Sequence, residues 1–290
     1  MRIAGFDIGG TSVKAGLFDT EEGLLCSRSF PTPLEDPSRM VELIAKATRD
    51  FEPSLVGVGT AGSIDTHVGL VRAGNLNWWG VPLRRLLEER LCLPVWVDND
   101  AQAALMAEAH DGACKGVQSA VYLTLGTGIG GAAIIDGRPW RGHNNTALEL
   151  GHMVTHGDGL PCACSRRGCF EMYTSARALS RMAGGAPARE VISRARDGEA
   201  AMAEAFASYL HELAIGLMSL TSIFNPQVFV LGGGLSEAGE FLRAGAEAEL
   251  YQMLGRRKSY FQGKIALARH GNEAGMIGAA LLARHYLVTS

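Results

Sequence analysis

The chain has 290 residues, is 47% hydrophobic and carries a formal charge of -3. That length buries one large core or two ordinary ones, and two domains are the starting expectation. The weak net charge and the lack of a long Lys/Arg run exclude the electrostatic footprint of a nucleic-acid binder and favour a small neutral or anionic partner.

The opening segment, Met1 to Gly10, is too short and too broken by glycine to be a signal peptide, and no apolar run reaches the length of a membrane span. The protein is therefore expected to be soluble and cytoplasmic, with no membrane partner. Three short strands are predicted first, at Arg2 to Asp7, Ser12 to Phe18 and Leu24 to Phe30, separated by the turns Gly9-Gly10 and Glu22-Gly23. A helix follows from about Ser38 to Phe51 behind Pro37, then a strand at Leu55 to Thr60. A second helix starts near Pro82, and the strand Val95 to Asp98 leads into an alanine-rich helix after Asp100. Strands alternating with helices imply parallel pairing.

Ala120 to Ile135 repeats the strand, glycine-threonine turn and strand of Ile3 to Leu17, so the chain reads as two related halves. A further strand at Val228 to Gly234 is preceded by an apolar helix from about Met202 to Phe224 and followed by a helix from Ser236. The last predicted helix, Glu273 to Tyr286, has apolar residues at helical spacing and is expected to return to the N-terminal domain.

Glycine lets backbone N–H groups approach a phosphate closely, and a neighbouring hydroxyl or lysine completes such a cradle. Asp7, Gly9, Gly10, Thr11 and Lys14 supply these parts in one hairpin, with Asp7 suited to hold Mg²⁺ through water. Thr124, Gly126, Thr127, Gly128 and Gly130 form a second loop for the same phosphates, and Gly233 and Gly234 in a third would admit an adenosine. A single such loop reads equally as a tight turn, but three capping three strands favour nucleotide binding. None matches a Walker A or complete Rossmann pattern, because the first two join strand to strand.

Of the six cysteines, Cys162, Cys164 and Cys169 fall within eight residues of one another, and clustering in a reducing compartment suggests metal. With one imidazole they make a soft ligand set suited to a closed, structural Zn²⁺. The imidazole is that of His152 or His156. A transfer to a hydroxyl also needs a base, and Asp100, at a strand end and helix start, is the candidate. Asp98, Asn99 and Asp100 also suit a plain helix cap.

DIGGTSVKAGLFD and LTLGTGIGGAAIIDG resemble the two phosphate motifs of the ROK sugar kinases (repressor, open reading frame, kinase). ELGHM with CACSRRGCFE resembles that family's sugar and zinc signature, and GNEAGMIGAALLA its closing helix. The likeness runs from residue 1 to about residue 284. It implies an α/β, actin-like ATPase (ribonuclease H-like) fold of two domains with a cleft between them, usually in a homodimer or larger homo-oligomer. The expected division is 1–116 plus 273–290, a small domain with the returning helix, and 117–272, a large domain with the zinc loop. The resemblance further implies MgATP as donor and His152 as the zinc ligand beside Cys162, Cys164 and Cys169. Asp100 would be the general base, with sugar contacts from Gly62, Asn75, Asn99, Glu149, His152 and Glu171. Glu149 and His152 share a face on a helical turn, so zinc would fix the carboxylate through His152.

Departures fall at Asn145, Leu148 and Ser165, where family members usually have glycine. Ser63 bears on whether an N-acetylated sugar is preferred, and Trp78 and Trp79 either line the pocket or pack. The family's repressors carry a helix-turn-helix before the first phosphate motif, which here begins within ten residues. A hexose 6-kinase is therefore expected, glucose first, then N-acetylmannosamine or N-acetylglucosamine, over a non-catalytic sugar sensor.

Overall fold

The computed structural model describes residues 1–143 and 145–289; Ser290, the last residue of the expected first domain, lies outside them. The chain divides into two compact units: Met1–Lys115 with Arg141–Ala147 and His270–Ser290, and Gly116–Trp140 with Leu148–Arg269. The segment Arg141–Ala147 thus belongs to the first unit, although sequence alone assigns it to the later one.

The first unit opens with β1 (Arg2–Ile8), β2 (Ser12–Asp19) and β3 (Gly23–Pro31), followed by α1 (Pro37–Phe51). Asp36 caps α1 by accepting from the Arg39 N–H at 2.8 Å, and Met40, Ile44, Ala47 and Phe51 are buried at helical spacing. Next come β4 (Leu55–Thr60), β5 (Ser63–Asp65), β6 (Leu70–Ala73), β7 (Trp78–Pro82), α2 (Leu83–Leu91), β8 (Val95–Asn99) and α3 (Asp100–His110). The second unit contributes β9 (Ala120–Leu125), β10 (Ile129–Ile135), β11 (Arg138–Trp140), α4 (Glu171–Thr174), α5 (Ala176–Met182), α6 (Ala188–Arg196) and α7 (Ala200–Phe224). It continues with β12 (Val228–Gly232), α8 (Glu240–Leu254) and β13 (Lys264–Leu267), and the chain ends in α9 (Ala274–Thr289) of the first unit.

The two main sheets have one topology. Their orders are β3-β2-β1-β4-β8 and β11-β10-β9-β12-β13, antiparallel in the first two pairings and parallel in the last two. The repeat read between Ile3–Leu17 and Ala120–Ile135 occupies β1–β2 and β9–β10, at equivalent places. Every residue of β4 is buried, as expected of a central parallel strand. In a small sheet, β5-β6-β7, Trp78 at the start of β7 is 1% exposed and packs in the core, whereas Trp79 is 76% exposed and donates to Asn77.

The helix expected from Ser236 is instead a 3-10 turn, Gly234–Ala238, because Gly233 (φ 80°) and Gly239 (φ 63°) both leave the helical region and delay α8 to Glu240. Helix α9 packs on β1, β4 and α3. It gets close only because glycines face it: a Cβ on Gly57 would lie 2.0 Å from the Ala279 carbonyl oxygen, and one on Gly278 1.6 Å from that of Ala103. Gly278→Ala is therefore expected to cost about 3 kcal/mol or more through overpacking against backbone, read as a lowered melting temperature. A loss below about 0.5 kcal/mol would contradict this docking. Among the described residues, no helix is long and apolar enough to cross a membrane.

Candidate active site

In the first unit the parallel strands β1, β4 and β8 end in register, Ile8 beside Thr60 and Thr60 beside Asn99, so their following loops gather at one carboxyl edge. The β1–β2 hairpin is closed by the Gly9 N–H donating to Ser12 O at 3.1 Å and held by the Thr32 hydroxyl donating to Gly9 O at 2.6 Å. Gly10 and Thr11 remain exposed at its tip. The Asn75 amide is the nearest group to Gly10, 3.6 Å from where a Cβ would stand. Lys14 pairs with Asp7 across the strands and donates to Asn272 at 3.3 Å.

Each residue of the Asp98-Asn99-Asp100 run has its own task. Asn99 is the cap of α3, accepting from the Ala101 and Gln102 N–H groups, and its own amide donates to Gly62 O at 3.1 Å. Asp98 is buried in an ion pair with Arg141 at 2.5 Å. Asp100 is the first residue of α3, and one oxygen accepts from the Ala101 N–H at 2.8 Å. Burial raises the Asp100 carboxyl above its ordinary range, against the hydrogen bonds it accepts. Burial first, then the Asp100 charge, and against them Lys14, push Asp7 up from 3.8 to about 6. Two carboxylates thus share one edge, an arrangement that a divalent cation beside the hairpin would relieve, and this donor chemistry fits Mg²⁺.

In the second unit Thr124 and Gly232 are register partners at the ends of β9 and β12, so the two glycine turns beyond them are neighbours. The Gly130 N–H donates to the Thr124 hydroxyl at 2.9 Å, and the Gly126 N–H to Gly128 O at 3.1 Å, which ties the β9–β10 turn. Gly233 accepts from the Ser236 hydroxyl at 2.7 Å, and Gly234 opens the 3-10 turn. Thr127, Gly128 and Glu171 line a cavity of about 260 Å³ together with Arg177 and Arg181, two cations the sequence reading passed over because they lie in the short helix α5. A Cβ on Gly128 would come within 2.8 Å of Glu171 Oε2, so the carboxylate sits directly on the glycine turn.

His152, Cys162, Cys164 and Cys169 come together with their donor atoms all within 4.8 Å of one another. The Cys164–Cys169 sulfurs are 3.5 Å apart and Cys162 Sγ is 3.8 Å from His152 Nδ1. Tetrahedral zinc with Zn–S near 2.3 Å sets donor edges of about 3.8 Å, so the set fits a closed zinc site. His156 is engaged elsewhere, stacked on Tyr173 at 4.0 Å with Nε2 3.5 Å from Glu212. Glu149 precedes the 3-10 turn Leu150–His152, its carbonyl accepting from the His152 N–H at 2.9 Å. Glu171 brings a carboxylate to the cluster, 3.2 Å from Cys162 Sγ and 3.7 Å from His152 Nδ1.

Asn145 (φ 61°), Leu148 (φ 69°) and Ser165 (φ 69°) all adopt the left-handed backbone. The three departures from glycine therefore keep the conformation glycine would take, at a cost of about 1 kcal/mol each.

Nearly the whole chain, from residue 3 to residue 286, matches the ROK family. A glucokinase of Streptomyces coelicolor is 34% identical over 97% of this chain and 96% of its own. An N-acetyl-D-glucosamine kinase of Pectobacterium atrosepticum is 33% identical over 96% and 97%. The crystal structure of a ROK family glucokinase from Streptomyces griseus, in complex with glucose and AMPPNP, superposes with a TM-score of 0.87 at 32% identity, covering 98% of this chain and 100% of that one. The protein has the fold of these kinases, actin-like with two α/β sheets of one topology, and it belongs to the ROK family.

Proposed function

We propose that this ROK-family chain is an ATP-dependent sugar kinase that transfers the γ-phosphate of MgATP to the 6-hydroxyl of a hexose, glucose first. The observation that carries the reading is the carboxyl edge of the first unit, where Asp100 begins α3 beside Asp7 and the exposed Gly10–Thr11 tip. The near full-length similarity to kinases of glucose and of N-acetyl-D-glucosamine supports it.

Asp100 accepts the proton of the attacking hydroxyl; its raised proton affinity suits a base whose partner is a poorly acidic alcohol. Asn99, Gly62 and Asn75 orient the sugar from the first unit, and Glu149 and Glu171 accept from its hydroxyls in the second. Gly9, Gly10, Thr11 and Lys14 bind phosphate oxygens, as do Thr124, Gly126, Thr127, Gly128 and Gly130, while Gly233 and Gly234 leave room for the adenosine. Mg²⁺, held through water by Asp7, would neutralise charge on the phosphates. A structural Zn²⁺ on His152, Cys162, Cys164 and Cys169 would brace the loop that leads into Glu171. His152 thereby serves both metal and sugar, and a homodimer or larger homo-oligomer is the expected assembly.

The test is ADP release with MgATP across glucose, mannose, fructose, allose, N-acetylglucosamine and N-acetylmannosamine. Turnover on glucose above the rest is the expected result. A preference for an N-acetylated sugar would reassign the substrate, and silence across the panel would favour a non-catalytic sugar sensor.

A further inference from the structure

The catalytic edge is held from behind by a buried cluster with no counterpart in any local motif. Asp98 is 2% exposed and Arg141 8% exposed, and their 2.5 Å ion pair is far from the surface pairs that contribute little. Both Asp98 oxygens are used. Oδ2 accepts from Arg141 and, at 3.1 Å, from the Trp96 indole, while Oδ1 accepts from the Asn99 N–H at 2.8 Å. That N–H belongs to the peptide entering Asn99, the cap of α3 and the residue before Asp100. Arg141 is held in turn by the Tyr286 hydroxyl, and the Tyr286 ring stacks on Trp96 at 3.9 Å. Three separate segments therefore converge here: β8, the Arg141–Ala147 segment and α9.

A buried ion pair of this kind is a poor device for stability, since well-packed apolar residues often serve as well or better. Here the arginine even leaves Nε buried with no hydrogen-bond partner among the described residues, a cost that stability alone gives no reason to keep. What the pair does achieve is orientation. Arg141 anchors one oxygen of the Asp98 carboxylate, and the other holds the N–H of the peptide that leads into Asn99 and Asp100. The same arginine closes its own segment, because its carbonyl accepts from the Ala147 N–H at 3.1 Å, and that segment runs directly into Leu148 and Glu149.

We propose that Arg141 is a positioning residue for phosphoryl transfer: through Asp98 it sets the Asp98–Asn99 peptide that leads into Asp100, and Tyr286 and Trp96 lock it in place. This rests on the kinase reading above. The predicted signature is a loss in kcat without a matching loss in sugar binding, since the base is misdirected while the sugar's other contacts remain.

The experiment compares Arg141→Met, Arg141→Lys and the double variant Asp98→Leu/Arg141→Met with the wild-type protein. For each, kcat, both KM values, the sugar dissociation constant and the melting temperature are measured well below the melting transition. Arg141→Met should lower kcat on the order of 10²-fold with sugar affinity within about threefold, and Arg141→Lys should recover part of the loss. The double variant removes both buried charges, so it should regain the melting temperature but not kcat. If the double variant regains both, or if Arg141→Met keeps wild-type kcat, the pair is structural only and the proposal fails. Should Arg141→Met not fold, the double variant decides alone. Wild-type protein that phosphorylates no sugar overturns the kinase reading and this proposal together, whereas active wild type with unaffected variants overturns this proposal only.

Discussion

Asp100→Asn is expected to lower kcat on the order of 10³-fold while leaving sugar affinity nearly unchanged, because it removes the proposed general base and keeps a side chain of the same shape. The same substitution should raise the melting temperature. Burial holds both Asp100 and Asp7 above their ordinary range, and the Asp100 charge adds to the Asp7 shift. A carboxyl whose folded pKa is raised contributes stability below its unfolded value, and that stability is lost as pH rises through the folded value. For Asp7 that window runs from 3.8 to about 6, which corresponds to about 3 kcal/mol withheld at neutral pH. Removing the Asp100 charge relieves its own burial and the repulsion that it adds to the Asp7 shift, while the burial of Asp7 itself remains. The gain in melting temperature should be largest at pH 8 and shrink toward pH 4.5, in scans without added Mg²⁺. A variant that keeps near-normal turnover would remove Asp100 from the role of base, and a gain independent of pH would show that charge burial is not its cause.

Much of this was legible because the informative features are local. The hairpin strands β1 and β2, the largely apolar β4 and the start of α1 behind Asp36-Pro37 are set by neighbours in sequence, and so is the spacing of Cys162, Cys164 and Cys169. Where the reading fell short, the cause is long range or short length. Strands β5 to β7 have three to five residues each, too few for an alternation to stand out, and α4 and α5 have only four and seven. The choice between His152 and His156 turns on which imidazole folds back onto the thiols, which spacing alone leaves open. Asp98 looked like one more cap, since its partner Arg141 lies 43 residues away and carries no motif of its own. Asn145, Leu148 and Ser165 show the converse: each stands where the family usually has glycine, and each keeps the left-handed backbone of its turn.

The second large effect is expected at the thiol cluster. The loop between Met153 and Phe170 contains no helix or named strand; the isolated bridges Val154–Cys169 and Pro161–Arg167 and turn hydrogen bonds such as Cys162 N–H to Arg166 O at 2.8 Å hold it, and Val154 is 52% exposed. Three thiols and an imidazole within 4.8 Å of one another would be poorly placed without a cation, and with zinc they become the strongest tie in the segment. Phe170 and Glu171 follow the last ligand directly, and Glu171 touches both Cys162 and the Gly128 turn, so loss of the metal should displace this proposed sugar contact. The wild-type protein is expected to carry about one zinc per chain, and Cys164→Ser almost none. Sugar affinity should then weaken by about 10- to 100-fold. ATP affinity should hold, because the Thr124–Gly130 turn is tied by its own hydrogen bonds and not by the loop. Elemental analysis with separate titrations of sugar and nucleotide checks this. Unchanged zinc in Cys164→Ser would refute the ligand set, and zinc loss with sugar affinity intact would separate the metal from Glu171.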